Sequence, residues 1–188
     1  MSTARNLKDS ELIAKRWADA LMELALEDEG ISKEDILDDL YEVSETIDSS
    51  NELSEILYNP SVSDEEKQLV LAKLFEGRLM PIVYKFIVTL NLRGRLNIIY
   101  AIAEAFRKRL ENIKNILRVN ITSAIELSED KKNEIKNRIS EKFRKNIVPE
   151  WKVDSDIIGG LILGIDETII DNSIRKNLEK ISKTIIKG

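Results

Sequence analysis

Across residues 10–117 the apolar side chains return every three or four positions, and from Val119 onward they begin to return every second one. This change of period constrains the fold more than any other feature. Spacing by three and four gives a helix one apolar face, and alternation gives a strand one. The expected fold is therefore mainly α: an N-terminal six-helix bundle over 1–110, followed by a smaller α+β domain over 111–188.

The individual helices have recognisable starts and stops. A first helix is expected over about 10–28, with Ser10 as its cap and Gly30 past its end. It carries one stripe of Ile13, Trp17, Leu21 and Leu24 and, beside it, a stripe of mostly small side chains, Ala14, Ala18, Met22 and Ala25. Ser32 opens a second helix with Ile36, Leu37, Leu40, Val43 and Ile47 inward. A short third, over about 51–58, stops at Asn59-Pro60, because a proline disfavours helical geometry in the residue before it. Ser63 with Glu66 forms a capping box that starts the fourth, running to about residue 76. The fifth, over about 79–92, is apolar almost all round, so it is either buried on every side or divides its faces between core and partner. Gly94 ends it, and a sixth helix over about 95–117 carries the seam Ile99, Ile102, Phe106, Leu110 and Ile113. Strands are expected at 119–123, 148–153, 161–165 and 168–170. A helix starting at Ser128 and running to about 145 lies between the first two strands. Asp171 and Ser173 then offer caps for a last helix with Ile174, Leu178, Ile181 and Ile185 on one face.

Composition removes most chemistry. With no cysteine and no histidine among 188 residues, thiolate nucleophiles, disulfides and the usual zinc ligands are gone. A general base working near neutral pH would need a strongly perturbed carboxylate or lysine. The expectation is a protein without catalytic, cofactor-binding or metal-binding residues. No apolar run approaches the ~18 residues that cross a bilayer, and the N-terminus lacks the apolar core of a signal peptide, so a soluble intracellular protein is expected. The net charge of −5 is divided unevenly: residues 1–94 hold 10 Lys/Arg against 20 Asp/Glu, and residues 95–188 hold 19 against 14. Two regions facing different partners, or two ordinary solvated surfaces, explain that equally well.

Several motifs fail on inspection. Asp154 and Asp156 with Gly159 begin like a calcium loop, but Ile158 and Ile165 occupy positions that need oxygen ligands. Gly159-Gly160 followed by Gly164 has no Gly-Lys-Ser/Thr after it and reads as a bulge or close backbone contact. The basic residues of 131–145 are interrupted by Glu134 and Glu141 and lack interleaved aromatics, which favours a solvated face over an RNA-binding one. The small-residue stripe of the first helix would let another helix approach closely. Periodicity alone slightly favours both of its stripes being core.

Several segments, in order, resemble one known family. Arg16-Trp17-Ala18-Asp19-Ala20-Leu21 is similar to the Arg-Tyr-Ala-x-Ala-Leu start of F-type ATP synthase delta subunits, whose mitochondrial form is the oligomycin-sensitivity-conferring protein. Asn59-Pro60 with Glu66-Lys67, the segment from Leu90 through Arg93 to Leu96, and Ile121-Thr122-Ser123-Ala124 resemble further parts of it. So does Asp154-x-Asp156-Ile157-Ile158-Gly159-Gly160, followed by Gly164, Asp171, Ser173 and Leu178. Trp17 stands where the family usually has Tyr, and a proline frequent near position 155 is absent.

That resemblance implies a non-catalytic stator subunit joining the peripheral stalk to the catalytic head, so that rotor torque drives ATP synthesis coupled to ion transport. It implies one copy per complex, at the cytoplasmic face of the membrane, attached only through its partners and binding no nucleic acid. The first domain would bind the N-terminal helix of an alpha subunit between its first and fifth helices, with Ala14, Trp17, Ala18, Leu21, Met22, Ala25, Val83, Phe86, Ile87 and Leu90 as candidate contacts. The second would bind the C-terminal ends of the b subunits, through Gly159, Gly160, Leu161, Ile174 and Leu178. A generic helical adaptor and an RNA-binding protein using 131–145 are the alternatives.

Overall fold

The computed structural model describes residues 2–28, 30–166 and 168–178. The chain is mainly helical with a small four-stranded sheet, and it divides into two compact units, Met1–Leu110 and Glu111–Gly188.

In the first unit, α1 (Ser2–Glu27) is followed by α2 (Lys33–Asp48), α3 (Asn51–Tyr58), α4 (Asp64–Phe75) and α5 (Pro81–Leu92). A 3-10 turn (Leu96–Ile98) then leads into α6 (Ile99–Ile113). The expected caps are in place. The Ser32 hydroxyl accepts from the Asp35 N–H at 3.2 Å, and Ser63 and Glu66 cap one another's backbone. One boundary differs: α1 begins at Ser2, so Ser10 lies inside the helix and does not cap it. No glycine or proline separates residues 2 and 10, and nothing else there ends a helix. α5 has no cap of its own; Asp39 of α2 supplies one, its carboxylate accepting from the Met80 N–H at 2.7 Å. Burial raises the Asp39 carboxyl above its ordinary range, and that hydrogen bond partly offsets the shift.

The core of this unit takes Ile36, Leu40, Val43 and Ile47 from α2, Leu71 and Phe75 from α4, and Ile99, Ile102, Phe106 and Leu110 from α6. At its margin α2 and α6 are joined by a polar link. The Tyr41 hydroxyl donates to Glu104, and the Arg107 guanidinium donates to both Glu104 oxygens. The Arg107 hydrogen bond holds the Glu104 carboxyl below its usual value against the opposing effect of burial. Burial, and then the bond to Glu104, push Tyr41 up to about 12.

A pH dependence follows from both signs. Glu104, depressed in the folded chain, stabilises it above the ordinary carboxylate range and loses that contribution as pH falls through its lowered value. Tyr41, raised, contributes below ~10 and loses its share as pH rises through about 12. Tyr41→Phe is expected to cost about 1 kcal/mol near neutral pH, since the link is partly solvent-screened, and to flatten the alkaline decline. Urea midpoints measured from pH 3 to 12 for both proteins check this; an unchanged alkaline limb in the variant would rule out Tyr41 as its source.

In the second unit the strands are β1 (Ile116–Ser123), β2 (Asn146–Val153), β3 (Leu161–Ile165) and β4 (Thr168–Asp171), in the order β2-β1-β3-β4. β1 pairs parallel with β2 and antiparallel with β3, which in turn pairs antiparallel with β4. A parallel neighbour needs a crossover, and α7 (Glu129–Phe143) provides it, ending where Arg144 turns left-handed at φ 52°. The core is small: Val119, Ile121, Ile139 and Ile147, with Ile135, Phe143, Trp151 and Leu163 packed around them. Residues 174–178 are helical, and the Ser173 hydroxyl accepts from the Lys176 N–H at 3.2 Å. Ile181 and Ile185, expected on the same helix, lie outside the described residues.

Candidate functional site

On α1 the small-residue stripe is not the open groove that the resemblance implies. The small-residue stripe is core: Ala14, Ala18, Met22 and Ala25 are all buried, with Leu21 beside them. On α5, Val83, Phe86, Ile87 and Leu90 are buried too. Of the ten residues proposed for a helix groove, only Trp17 is more than marginally accessible. The open furrow expected between the first and fifth helices is therefore filled by the chain's own side chains. Alanines do allow a second helix to approach closely, but here the helices that approach belong to the same unit.

What α1 leaves accessible is the other stripe except for Leu21, which is buried. Ile13 and Trp17, one turn apart, are half-buried, and Leu24 further along is 52% exposed. Trp17 meets Phe86 of α5 edge to face, with centroids 5.8 Å apart and planes at 77°. Ile82, one turn before Phe86, is half-buried as well. Edge-to-face pairs of this kind contribute about 1 kcal/mol beyond the area they bury. The Trp17–Phe86 pair thus marks where α1 meets α5, with half-buried Ile13 and Ile82 one turn before it on each helix. On the far side of α1, Asp19 lies 3.7 Å from Arg109 of α6.

In the second unit the candidate residues cluster around a tight turn. The Asp154 carboxylate accepts from the Asp156 N–H at 3.0 Å, so the calcium-like start of this segment is a turn cap. Ile157 is buried; the next residue, Ile158, has φ 67° and ψ −40°, and the Gly159 N–H donates to the Ile157 carbonyl at 2.7 Å. That is a three-residue γ-turn with a β-branched residue at its centre, a conformation costing about 1–3 kcal/mol.

Gly159 and Gly160 have a packing role. A Cβ on Gly160 would stand 2.4 Å from the Asn172 carbonyl oxygen, and its φ is +83°. A Cβ on Gly159 would meet Ile174 Cδ1 at 2.7 Å. Their bareness lets residues 172–174 close over the turn, where the Ile174 N–H donates to the Gly159 carbonyl at 2.9 Å. Leu161 is half-buried at the start of β3, while Ile174 and Leu178 are 47% and 53% exposed.

The basic helix α7 is laced by its own acids, with Lys132 2.7 Å from Glu129 and Arg138 2.8 Å from Glu134. Its one aromatic, Phe143, packs toward the sheet and so cannot stack on a base. Among the described residues no helix is long and apolar enough to cross a membrane, and no group of acidic side chains is arranged to hold a metal ion.

Comparison with known proteins gives one consistent answer. Residues 13–185 match the family model for the ATP synthase delta (OSCP) subunit. The chain is 32% identical over 184 residues to the ATP synthase subunit delta of Lachnoclostridium phytofermentans, covering 95% of this chain and 97% of that one. It is 29% identical over 175 residues to the subunit delta of Chlorobium chlorochromatii, covering 93% and 97%. Among solved structures, a chain of the Toxoplasma gondii mitochondrial ATP synthase hexamer has the same fold. Its TM-score is 0.62 at 18% identity, with 92% of this chain and 97% of that chain covered.

Proposed function

This chain belongs to the ATP synthase delta (OSCP) subunit family, and from that premise we propose how its two units divide the work of a connector. It is a non-catalytic stator subunit of ATP synthase, linking the peripheral stalk to the catalytic head. The first unit, a six-helix bundle in this reading, takes the N-terminal helix of an alpha subunit. The second takes the C-terminal ends of the b subunits. One copy serves each complex, at the cytoplasmic face of the membrane and attached through its partners. Head and stalk must be held together under torque, so each contact has to dissociate slowly. A nanomolar contact corresponds to about −12 kcal/mol.

The observation that supports the alpha-subunit contact is the accessible, half-buried group of Ile13, Trp17 and Ile82, with Phe86 buried against Trp17. It replaces the small-residue groove: an incoming amphipathic helix would lay its apolar face along the Trp17–Phe86 pair, with Leu24 extending the strip. A half-exposed tryptophan such as Trp17 is a usual carrier of a contact's energy.

Trp17→Ala is expected to weaken binding of an alpha-subunit N-terminal peptide about 30-fold, equivalent to about 2 kcal/mol. Calorimetry with the full-length protein measures this directly. Fluorescence of Trp17 gives a second readout once Trp151, the chain's other tryptophan, is replaced by Phe. If Trp17→Ala binds the peptide as tightly as the parent, this group is not the contact.

A further inference from the structure

Resting on the reading that the second unit takes the stalk, we propose that Ile158 is the central contact of that surface, presented to an apolar stretch of a stalk helix by a strained turn. Three observations meet at this residue. Its backbone lies in a region that glycine adopts freely and β-branched residues avoid, φ 67° and ψ −40°. Its side chain is 62% exposed, so the unit's own core gains little from it. It also stands between a buried neighbour and two glycines, so the turn is fixed from both sides: Ile157 anchors it inward, and the 172–174 segment covers Gly159 and Gly160. The isoleucine therefore costs the free protein stability and returns nothing within the fold. Strain of this kind, imposed by surrounding structure on an outward-facing group, belongs to a group that contacts something else.

The neighbours indicate what that partner is. Ile174 lies against Gly159, and Leu178 follows one helical turn later. Ile158, the residue before Gly159, and Ile174, which packs against Gly159, are thus on neighbouring segments, and with Leu178 each is about half exposed or more. Of the two basic residues between Ile174 and Leu178, Arg175 and Lys176, neither lies on the face those two share, and Lys176 is 3.8 Å from Asp171. Among the described residues the patch is apolar, which a phosphate backbone or an anionic lipid headgroup does not match. The apolar face of a helix does, through side chains spaced by three and four. A connector needs a second attachment besides the α1–α5 seam, and this patch supplies an apolar one on the other unit.

The test uses full-length protein, the soluble C-terminal part of the stalk b subunits, and the alpha-subunit peptide as a control ligand. Ile158→Gly relieves the turn and removes the contact. The expected result is a melting temperature equal to or above the parent's, at least tenfold weaker binding of b, and unchanged binding of the alpha peptide. Ile158→Val, which keeps a branched apolar group, retains b binding within about threefold. Parental affinity for b in Ile158→Gly overturns the proposal. So does a melting temperature more than about 2 °C lower, which would make Ile158 a structural residue. If the parent protein binds the alpha peptide but not b, the assignment of the second unit to the stalk fails instead, and this inference goes with it.

Discussion

Ala18→Asp is expected to remove the cooperative unfolding transition of the first unit at ordinary temperatures. Ala18 is 1% exposed, packed between Leu21, Met22 and the other buried groups of α1 and its neighbours. A carboxylate there would be buried with no partner placed to receive it, and a change of that kind costs about 4 kcal/mol or more. That is a large share of the ~5–15 kcal/mol that holds a domain of this size together. The experiment also separates two pictures of α1. On the floor of an open groove, the same charge would face solvent in the free protein, repel an incoming helix and leave the fold intact. Packed in the core, it destroys both fold and binding. Circular dichroism melting decides: a transition within a degree or two of the parent's would return Ala18 to the surface. Detachment of the head from membranes would accompany either result, so detachment alone does not tell them apart.

In the second unit Gly160→Ala is expected to have the largest effect of any single methyl addition, about 3 kcal/mol. Two costs combine. The backbone sits at φ +83°, and the new Cβ would lie 2.4 Å from a carbonyl oxygen, Asn172 O, which cannot rotate away as a side chain can. Two other glycines serve as controls. Gly77 shares the positive φ, at +78°, but has nothing within 4 Å, so alanine there costs only the conformational part, about 1 kcal/mol. Gly159 meets only the flexible end of Ile174, which can swing aside. The expected order of destabilisation is Gly160 well above Gly77 and Gly159. It is read from urea unfolding followed by Trp151 emission for Gly159 and Gly160 and by Trp17 emission for Gly77 in the first unit, with the other tryptophan replaced by Phe in each case. Equal costs at Gly77 and Gly160 would mean that the 172–174 segment does not close over the turn.

Much of this architecture was legible in the residues. Serines 32, 63 and 173 cap where capping chemistry predicts, and Pro60 stops α3 as a proline should. The seam Ile99, Ile102, Phe106 and Leu110 is buried as its spacing requires, although Ile113 at its end is exposed. β3 occupies the residues that its composition suggests, 161–165. The expectation for α1 failed for a physical reason. Lys15, Asp19 and Glu23 mark its wet face, and that face lies opposite the line between the two apolar stripes, so charge could not say which stripe turned inward. Size misled as well: Trp17 and Leu24 are larger than three alanines, yet close helix packing rewards the small ones. Ile158 was legible only as part of a motif, because no local spacing rule signals a positive φ at a β-branched residue.

The position of β1 at the centre of its sheet has a consequence for synthesis. Its parallel partner ends at Val153 and its antiparallel partner spans 161–165, so β1 leaves the ribosome long before either neighbour exists. The helices of the first unit are complete by Ile113, before either neighbour begins, and make their contacts among themselves. A nascent chain thus carries a finished helical unit while its sheet is still an unpaired strand. On the division of work proposed above, a stop codon anywhere in that interval would yield a fragment that occupies the catalytic head and cannot tether it.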